Sequence, residues 1–372
     1  MGIEVFWQLP VHGDGRAISP ELWNRGDYSA RRKEPHPYAR TGVQRDGYTF
    51  YDHLSQIAGA ADLARFDGVW IPFTAAGEDP LITAGAFVRE ARHLKFVPAL
   101  RAPLLSAVYA TKIANSFQRL SGGRLIWNLV TEEDQPRTWH GRHWSVEEQI
   151  ERTGEFLDVA KGFWHDAPFT YKGKYFEVEN GGFAPALQGP KFPQVYLSGE
   201  SEAAYALSAR HADVHILPLL PPEELKPRIA RLNELAATHG RTVRFAVEAD
   251  IVARQTADEA WGDLLVRWTE ATANPVVPIS ANAAVNVKPP LFDELVAGKN
   301  LWSGFGLVRP GASAGLVGSY DDLVERVREY LDIGVDSFIF AANPALEEAY
   351  RLSEKLLPRL RALNTVGQAK AA

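Results

Sequence analysis

The sequence predicts a (β/α)8 barrel, the TIM-barrel fold, and three observations point to it. Eight short apolar runs recur along the 372 residues, helical patterns separate most of them, and most of the runs are continuously apolar rather than alternating. Continuous apolar runs are typical of parallel strands that are covered on both faces. Eight strands alternating with helices favour a closed barrel over an open doubly wound sheet, so we expect one barrel domain over residues 1–372.

The predicted strands cover residues 3–9, 68–73, 94–100, 124–130, 193–199, 213–219, 244–252 and 336–342. Apolar residues with a 3.6-residue period predict helices over 51–66, 107–123, 201–212, 222–240 and 319–334. The first of these helices precedes Asp67-Gly68, and the second ends in Gly122-Gly123; glycine is a common residue at a helix end.

Three segments exceed the minimal repeat, and each of them follows a predicted strand. They cover residues 13–48, 132–192 and 270–310, after the first, fourth and seventh strands. Segments in these places lie at the carboxyl-terminal face of a barrel, where TIM-barrel enzymes carry their active sites. The second segment contains FTYKGKYFEVENGGF, which predicts a small hairpin. The third is a candidate mobile lid or, alternatively, an ordinary surface insertion.

Composition excludes several classes of function. The net charge of −6 and the pI near 6.0 give no attraction to nucleic acid or to an anionic membrane. Cysteine is absent, which excludes disulfides, thiolate metal sites and cysteine nucleophiles, and no metal site is expected. No apolar run approaches the roughly 20 residues that span a bilayer, and the first residues do not resemble a secretory signal. We therefore expect a soluble, cytoplasmic protein.

Four long stretches resemble the bacterial luciferase-like flavin monooxygenases, and in particular their alkanesulfonate monooxygenase subgroup. These stretches are VFWQLPVHGDG (5–15), residues 99–131, WSGFGLVRPGASAGLVG (302–318) and GVDSFIFAANPALEEAYR (334–351). The resemblance implies a luciferase-like barrel in a two-component enzyme, which receives FMNH2 from a separate flavin reductase. It also implies that O2 forms a C4a-peroxyflavin, which oxygenates a small-molecule substrate. Family members form homo-oligomers, so we expect a dimer or tetramer.

The resemblance assigns cofactor contacts residue by residue. The matching positions are Asn128, Thr131, Ser198, Gly199, Ser201 and Arg309. The Asn128 amide and the Thr131 hydroxyl, at the end of the fourth strand, would bond the isoalloxazine edge. The SGES turn (198–201) would hold the phosphate at a helix N-terminus. The arginine matches a position near the phosphate or the substrate. His12 matches a pocket position and is a catalytic candidate, although a single histidine can equally be structural.

The chain departs from the alkanesulfonate subgroup around the substrate. Glu248 and Asp250 replace an arginine and a histidine on the seventh strand, and Asn343 replaces a tyrosine after the eighth. We take these three as catalytic candidates. The candidate substrate contacts are Glu78, near the place of a family cysteine, Pro218, in place of a tryptophan, and Arg101, after the third strand.

Glu248 and Asp250 are two residues apart and therefore share one face of an extended strand. Their negative charge would repel a sulfonate, so an alkanesulfonate is not the expected substrate. Two acids suit a cationic or hydroxyl-rich substrate or a general base. Alternatively, they form structural ion pairs with Arg101, Arg309 or another basic group, and Arg101 is the first choice because it also follows a strand.

The leading hypothesis is thus an FMNH2-dependent monooxygenase that acts on a small organic molecule. Three alternatives remain open. The first is a deazaflavin-dependent oxidoreductase, the second is a flavin-binding relative that has lost its chemistry, and the third is a barrel hydrolase that uses Glu248 and Asp250.

Overall fold

A computed structural model of the chain describes residues 2–11, 13, 49–73, 77–131, 144–273, 290–309 and 311–370, with the backbone alone for 364–370. The strands are β1 (Glu4–Gln8), β2 (Gly68–Ile71), β3 (Lys95–Leu100), β4 (Ile126–Leu129), β5 (Phe169–Lys172), β6 (Glu177–Gly181), β7 (Gln194–Ser198), β8 (Val214–Leu217), β9 (Arg244–Arg254), β10 (Val296–Gly298), β11 (Leu301–Trp302), β12 (Gly315–Ser319) and β13 (Val335–Ala341). The helices are α1 (Phe50–Leu63), α2 (Pro80–Phe87), α3 (Ala107–Ser121), α4 (Val146–His165), α5 (Glu202–His211), α6 (Pro222–Thr238), α7 (Ala257–Ala273), α8 (Phe305–Val308), α9 (Tyr320–Asp332), α10 (Ala345–Lys355) and α11 (Leu357–Lys370).

Eight parallel strands close into a barrel in the order β1, β2, β3, β4, β7, β8, β9 and β13, with β13 returning to β1. These are the eight strands that the sequence predicts, with ends shifted by at most two residues. All five predicted helices are present as α1, α3, α5, α6 and α9. The predicted (β/α)8 architecture is therefore confirmed.

Local sequence signals fix several helix ends. Thr49, Ser145 and Ser319 each begin a helix with a capping box, in which the hydroxyl accepts a backbone N–H and an acid three residues later returns a bond. Gly122 ends α3 with a φ of +71°, a left-handed conformation that costs glycine little.

Two apolar layers hold the barrel together. A large core lies between the strands and the surrounding helices and includes Trp7, Trp127 and Phe338. A second cluster fills the barrel interior and consists of Phe6, Trp70, Val97, Ile126, Tyr196, Val214, Ile216, Ala246 and Ile339. The barrel is thus a packed core, and only its carboxyl-terminal end is available for a ligand.

Ion pairs close the amino-terminal end of the barrel. Arg244 bonds Glu4 at 2.6 Å and Asp336 at 2.9 Å, and Lys95 also pairs with Glu4. Each of these residues lies at or near the beginning of its strand, so two acids and two bases meet at this end and compensate one another.

β9 is longer than predicted and carries an extra sheet. Asp250 pairs in register with Ala341 of β13 and with Gly315 of β12, and β12 continues through β11 to β10. Side chains of α7, β11, α8 and the end of β9 form a separate core around Trp268, Trp302 and Phe305. The part of the 270–310 segment after residue 290 is therefore packed beside the barrel.

The other insertions are described in part. β5 and β6 pair as the antiparallel hairpin that the sequence predicts within 132–192, and α4 precedes them. Residues 14–48 and 132–143 lie outside the described residues. No helix in the described part of the chain is both long and apolar enough to cross a bilayer.

Candidate functional site at the carboxyl-terminal end of the barrel

The side chains that face the mouth of the barrel follow from strand periodicity. Phe6, Ile126, Tyr196, Ala246 and Ile339 belong to the interior cluster. Side chains alternate along a strand, so the residues two positions further along face the same interior but lie closer to the carboxyl-terminal end. These positions are occupied by Gln8, Asn128, Ser198, Glu248 and Ala341. The predicted residues Asn128, Ser198 and Glu248 therefore converge on one mouth.

Neutral polar groups with unused hydrogen-bonding capacity lie at the carboxyl-terminal ends of β1 and β4. Gln8 and Asn128 are buried, and Thr131 follows β4 with 1% of its surface exposed. Among the described residues, the Gln8 Oε1 and the Thr131 Oγ1 have no hydrogen-bond partner. A buried polar atom without a partner costs about 1–3 kcal/mol, so these atoms are suited to a bound ligand that supplies the missing bonds.

The turn after β7 leads directly into α5. Gly199 has a φ of +121°, which favours glycine. The hydroxyl of Ser201 accepts the backbone N–H of Ala204 and so caps the helix. The first N–H groups of a helix have no partner inside it, so the amides of Glu202 and Ala203, together with the Ser198 hydroxyl, are the groups of this turn that could bind an anion. The Ser201 hydroxyl is already used by the cap.

The acids near this turn have partners on α6. Glu200 forms an ion pair with Arg228, and Glu202 bonds Arg231 at 2.9 Å. The Glu200 carboxylate is thus engaged with a counter-charge, which removes the main electrostatic objection to a phosphate at this turn.

Asp250 of β9 forms a buried ion pair at the mouth. Its Oδ2 accepts a hydrogen bond from the Arg309 Nη2 at 2.6 Å, and only 1% of Asp250 is exposed. Burial raises the pKa of Asp250, and the Arg309 guanidinium opposes that rise. The Asp250 Oδ1 has no hydrogen-bond partner among the described residues. This pair attaches the loop before β12 to the barrel strand β9.

Glu248 differs from Asp250 although the two share a face. Glu248 is partly exposed, and its carboxylate makes no hydrogen bond or ion pair within the described part of the chain. Burial and then the neighbouring Asp250 carboxylate raise the pKa of Glu248 from 4.5 to about 7, while Arg309 acts in the opposite direction. The proton of this carboxyl group therefore exchanges near neutral pH.

The expectation that Arg101 is the partner of the two acids is wrong for Asp250. The Arg101 guanidinium lies over the ring of Phe73, 4.4 Å from its centroid, and the side chain is buried. Three strands, β2, β1 and β13, separate β3 from β9 in the barrel. Arg101, which follows β3, therefore lies across the mouth from Asp250. Arg309 reaches Asp250 because its loop runs directly into β12, which pairs with β9.

The remaining predicted residues also follow barrel strands. Asn343 is buried two residues after the end of β13, and Pro218 is partly exposed after β8. The backbone of Glu78 donates to the carbonyl of Val11 at 3.0 Å, which holds the loop after β2 against the end of β1. His12 lies outside the described residues.

Sequence reasoning missed Gln8 and β12. Gln8 is one of two polar residues in the run IEVFWQL and the one near its carboxyl end, which is a signal for a residue that faces a site. β12 is the run GLVGS, which lies directly before α9 and is too short to stand out from the helix that follows.

Solved structures share this architecture. The EDTA monooxygenase from Chelativorans sp. BNC1 superposes with a TM-score of 0.70 and 16% identity, covering 98% of this chain and 95% of its own. A riboflavin lyase solved with modified FMN and riboflavin gives a TM-score of 0.71 and 15% identity, with coverage of 98% and 92%. An F420-dependent secondary alcohol dehydrogenase gives a TM-score of 0.66 and 16% identity, with coverage of 97% and 100%. At these identities the likeness concerns the fold.

The sequence itself identifies the family. The model of the luciferase-like monooxygenases matches residues 36–337, which is most of the chain and includes seven of the eight barrel strands in whole or in part. The match extends to the broad family and leaves the alkanesulfonate subgroup as a prediction. The chain belongs to the luciferase-like monooxygenase family, and its activity is accordingly that of a monooxygenase or a related oxidoreductase.

Proposed function

We propose that this protein is a reduced-FMN-dependent monooxygenase that oxygenates a small organic molecule other than a simple alkanesulfonate. A separate flavin reductase would supply the FMNH2, and O2 would be the second substrate. Family membership supports the reaction type. The observation that carries the proposal is the pair of buried atoms at the barrel mouth, the Gln8 Oε1 and the Thr131 Oγ1, that have no hydrogen-bond partner among the described residues.

The residues present fit a flavin. Gln8, Asn128 and Thr131 offer donors and acceptors of the kind that the polar edge of an isoalloxazine ring requires. Ser198 and the first amides of α5 offer a phosphate site, because a helix N-terminus carries free N–H groups and a positive dipole end. When bound, reduced flavin would supply the activation of O2, and the chain would bind the flavin, orient it and exclude water.

The part of the mouth around β9 is assigned to the substrate. Asp250 is paired with Arg309, so among the described residues Glu248 is the acid without a counter-charge. A sulfonate is permanently anionic and would bind beside Glu248 only while this residue holds its proton. Once Glu248 is ionised, a like-charge contact of this kind costs several kcal/mol, which is the reason for proposing a substrate other than a simple alkanesulfonate.

A deazaflavin-dependent oxidoreductase is the second candidate. The similarity to an F420-dependent alcohol dehydrogenase over 100% of that chain favours it. In that case the mouth would bind a deazaflavin, and Glu248 would face a substrate from which hydride is transferred. The hydrolase alternative loses support because the ion pair with Arg309 engages Asp250, whereas a hydrolase needs two carboxyl groups that act on opposite sides of a scissile bond.

Anaerobic titration of the purified protein with reduced FMN, oxidised FMN and deazaflavin tests the cofactor. We expect reduced FMN to bind most tightly. Thr131→Val and Asn128→Ala should each raise the Kd for reduced FMN by about 3- to 10-fold, the value of one hydrogen bond. Asn233→Ala, at an exposed position on α6, is the matched control and should leave the Kd unchanged.

The outcomes separate the candidates. Tight binding of deazaflavin without binding of reduced FMN would favour the second candidate, and no binding of any flavin would contradict both. Oxygen consumption that depends on a supply of reduced FMN would support the first candidate. A flavin-binding relative without chemistry would bind reduced FMN and leave the rate of its reoxidation by O2 as it is in solution.

A further inference from the structure

We propose that Glu248 selects substrates that carry a basic nitrogen on an apolar body, such as protonated amines. The inference rests on the proposed function, because it names the class of molecule that would occupy the substrate side of the mouth. It concerns binding, and it assigns Glu248 a direct contact with the substrate.

The position of Glu248 supplies the first step. The side chain faces the barrel interior above Ala246, and Glu248 pairs in register with Ile339 of β13. Ile216 of β8 lies opposite Ala246. The floor of the mouth beside the carboxylate is therefore apolar, which favours a ligand with an apolar body next to its charged group.

The charges around Glu248 supply the second step. Among the described residues, the charged groups that act on Glu248 are Asp250 and Arg309, and these two neutralise each other. On β8, His215 is directed at Ser208 of α5, and on β13, Asp336 bonds Arg244 at the other end of the barrel. Arg267 of α7 acts on Asp250 rather than on Glu248, so within the described part of the chain no cation forms an ion pair with Glu248.

An acid at the amino-terminal end of the barrel differs from Glu248 because basic side chains compensate its charge. There the Glu4 carboxylate has both Lys95 and Arg244 as partners, and its pKa is lowered. Glu248, in contrast, holds a proton up to neutral pH. A partly desolvated carboxylate without a counter-charge among the described residues is unfavourable, and a ligand cation would relieve that cost.

Asp250 adds a second acceptor. Its Oδ1 has no hydrogen-bond partner and lies two residues further along the same strand face as Glu248. An ammonium group has three donors and no acceptor, so a primary amine matches two carboxylate acceptors better than an alcohol does. An anion matches neither.

Competition with a proton gives the inference a specific signature. The ligand cation and the proton occupy the same carboxylate, so binding of a protonated amine at pH 6 must release a proton from Glu248. A neutral or anionic ligand would release none at this residue.

Calorimetric titration of the full chain at pH 6, in two buffers of different ionisation enthalpy, measures affinity and proton release together. The probes are benzylammonium, benzyl alcohol and benzoate, followed by the matched hexyl set as a second body shape. We expect at least one ammonium probe to bind at least 10-fold more tightly than its alcohol and its carboxylate, with release of close to one proton. Glu248→Gln should reduce ammonium affinity at least 10-fold and abolish the release. Glu179→Gln, on the exposed hairpin, should change neither.

Ammonium probes that bind no more tightly than the alcohols, or an unchanged affinity and proton release in Glu248→Gln, would overturn the inference. Reduced-FMN binding is measured on the same samples. Loss of amine selectivity with intact flavin binding would reject the inference alone, whereas amine selectivity without flavin binding would reject the proposed function alone.

Discussion

Replacing Glu248 by glutamine should stabilise the protein at high pH and leave its stability unchanged at low pH. Glutamine keeps the size of the side chain and removes its ionisation. In the folded state the pKa of Glu248 is about 7, against 4.5 for an unperturbed glutamate. The difference of about 2.5 pH units corresponds to roughly 3 kcal/mol at about 1.4 kcal/mol per unit. This is the cost of ionising Glu248 inside the barrel mouth.

The direction follows from proton binding. Between pH 4.5 and 7 the folded protein binds the Glu248 proton more tightly than the unfolded chain does. The contribution of this residue to stability is therefore fully present below pH 4.5 and is lost as the pH rises through 7. Glu248→Gln removes that loss, so the variant and the parent should be equally stable near pH 4.5 and should diverge by roughly 3 kcal/mol at pH 8.

Thermal unfolding monitored by circular dichroism at half-unit steps from pH 4.5 to 8 measures the divergence. With an unfolding entropy of about 2 cal/mol/K per residue over 372 residues, 3 kcal/mol corresponds to a rise in Tm of about 4 °C. Glu179→Gln is exposed on the hairpin and should follow the parent at every pH. A Glu248→Gln variant with a Tm equal to or below that of the parent at pH 8 would refute the reasoning and would indicate that Glu248 has a stabilising partner.

Three further changes test the surroundings of the pair. Arg309→Met leaves the buried Asp250 carboxylate without its cation, so at pH 8 the Tm should fall by about 4–7 °C for a loss of about 3–5 kcal/mol. Adding Asp250→Asn should restore part of this loss, and equal Tm values for the single and double variants would contradict the ion pair. Gly315→Ala should destabilise the junction of β12 and β9 strongly, because its Cβ would lie 2.5 Å from the Asp250 carbonyl oxygen and 2.5 Å from the Phe305 ring. An unchanged Tm would contradict this close contact. Gly262→Ala, at an open position in α7 with no atom within 4 Å, should raise the free energy of unfolding by about 1 kcal/mol in chemical denaturation, because alanine favours a helix.

The barrel was predictable because its strands are buried on both faces. Runs such as LKFVPAL and RLIWNLV differ so clearly from the helical periods around them that each strand end shifts by no more than two residues. Glycine after the helical patterns gave a second, local signal, which Gly122 confirms at the end of α3. Both signals depend on neighbouring residues alone, which is why they can be read without a structure.

Partners across the mouth could not be predicted in the same way. Arg101 and Arg309 both follow apolar runs, and nothing local says which of them approaches Asp250. The choice depends on strand order around the barrel and on the pairing of β12 with β9, both of which join residues far apart in the chain. Gln8 was missed for a related reason. Whether its side chain faces a site depends on how the eight strands close into the barrel.

The different environments of Glu248 and Asp250 come from a single added strand. On its own, β9 would place two equivalent acids on one face, and each would raise the pKa of the other. β12 pairs with β9 from Asp250 onward, and the loop that enters β12 carries Arg309 to the upper acid. The lower acid, level with Ile339, stays beyond the reach of that loop. The extra sheet therefore turns a like-charged pair into one fixed carboxylate and one exchangeable carboxyl group, which is the division that a binding or proton-transfer site requires.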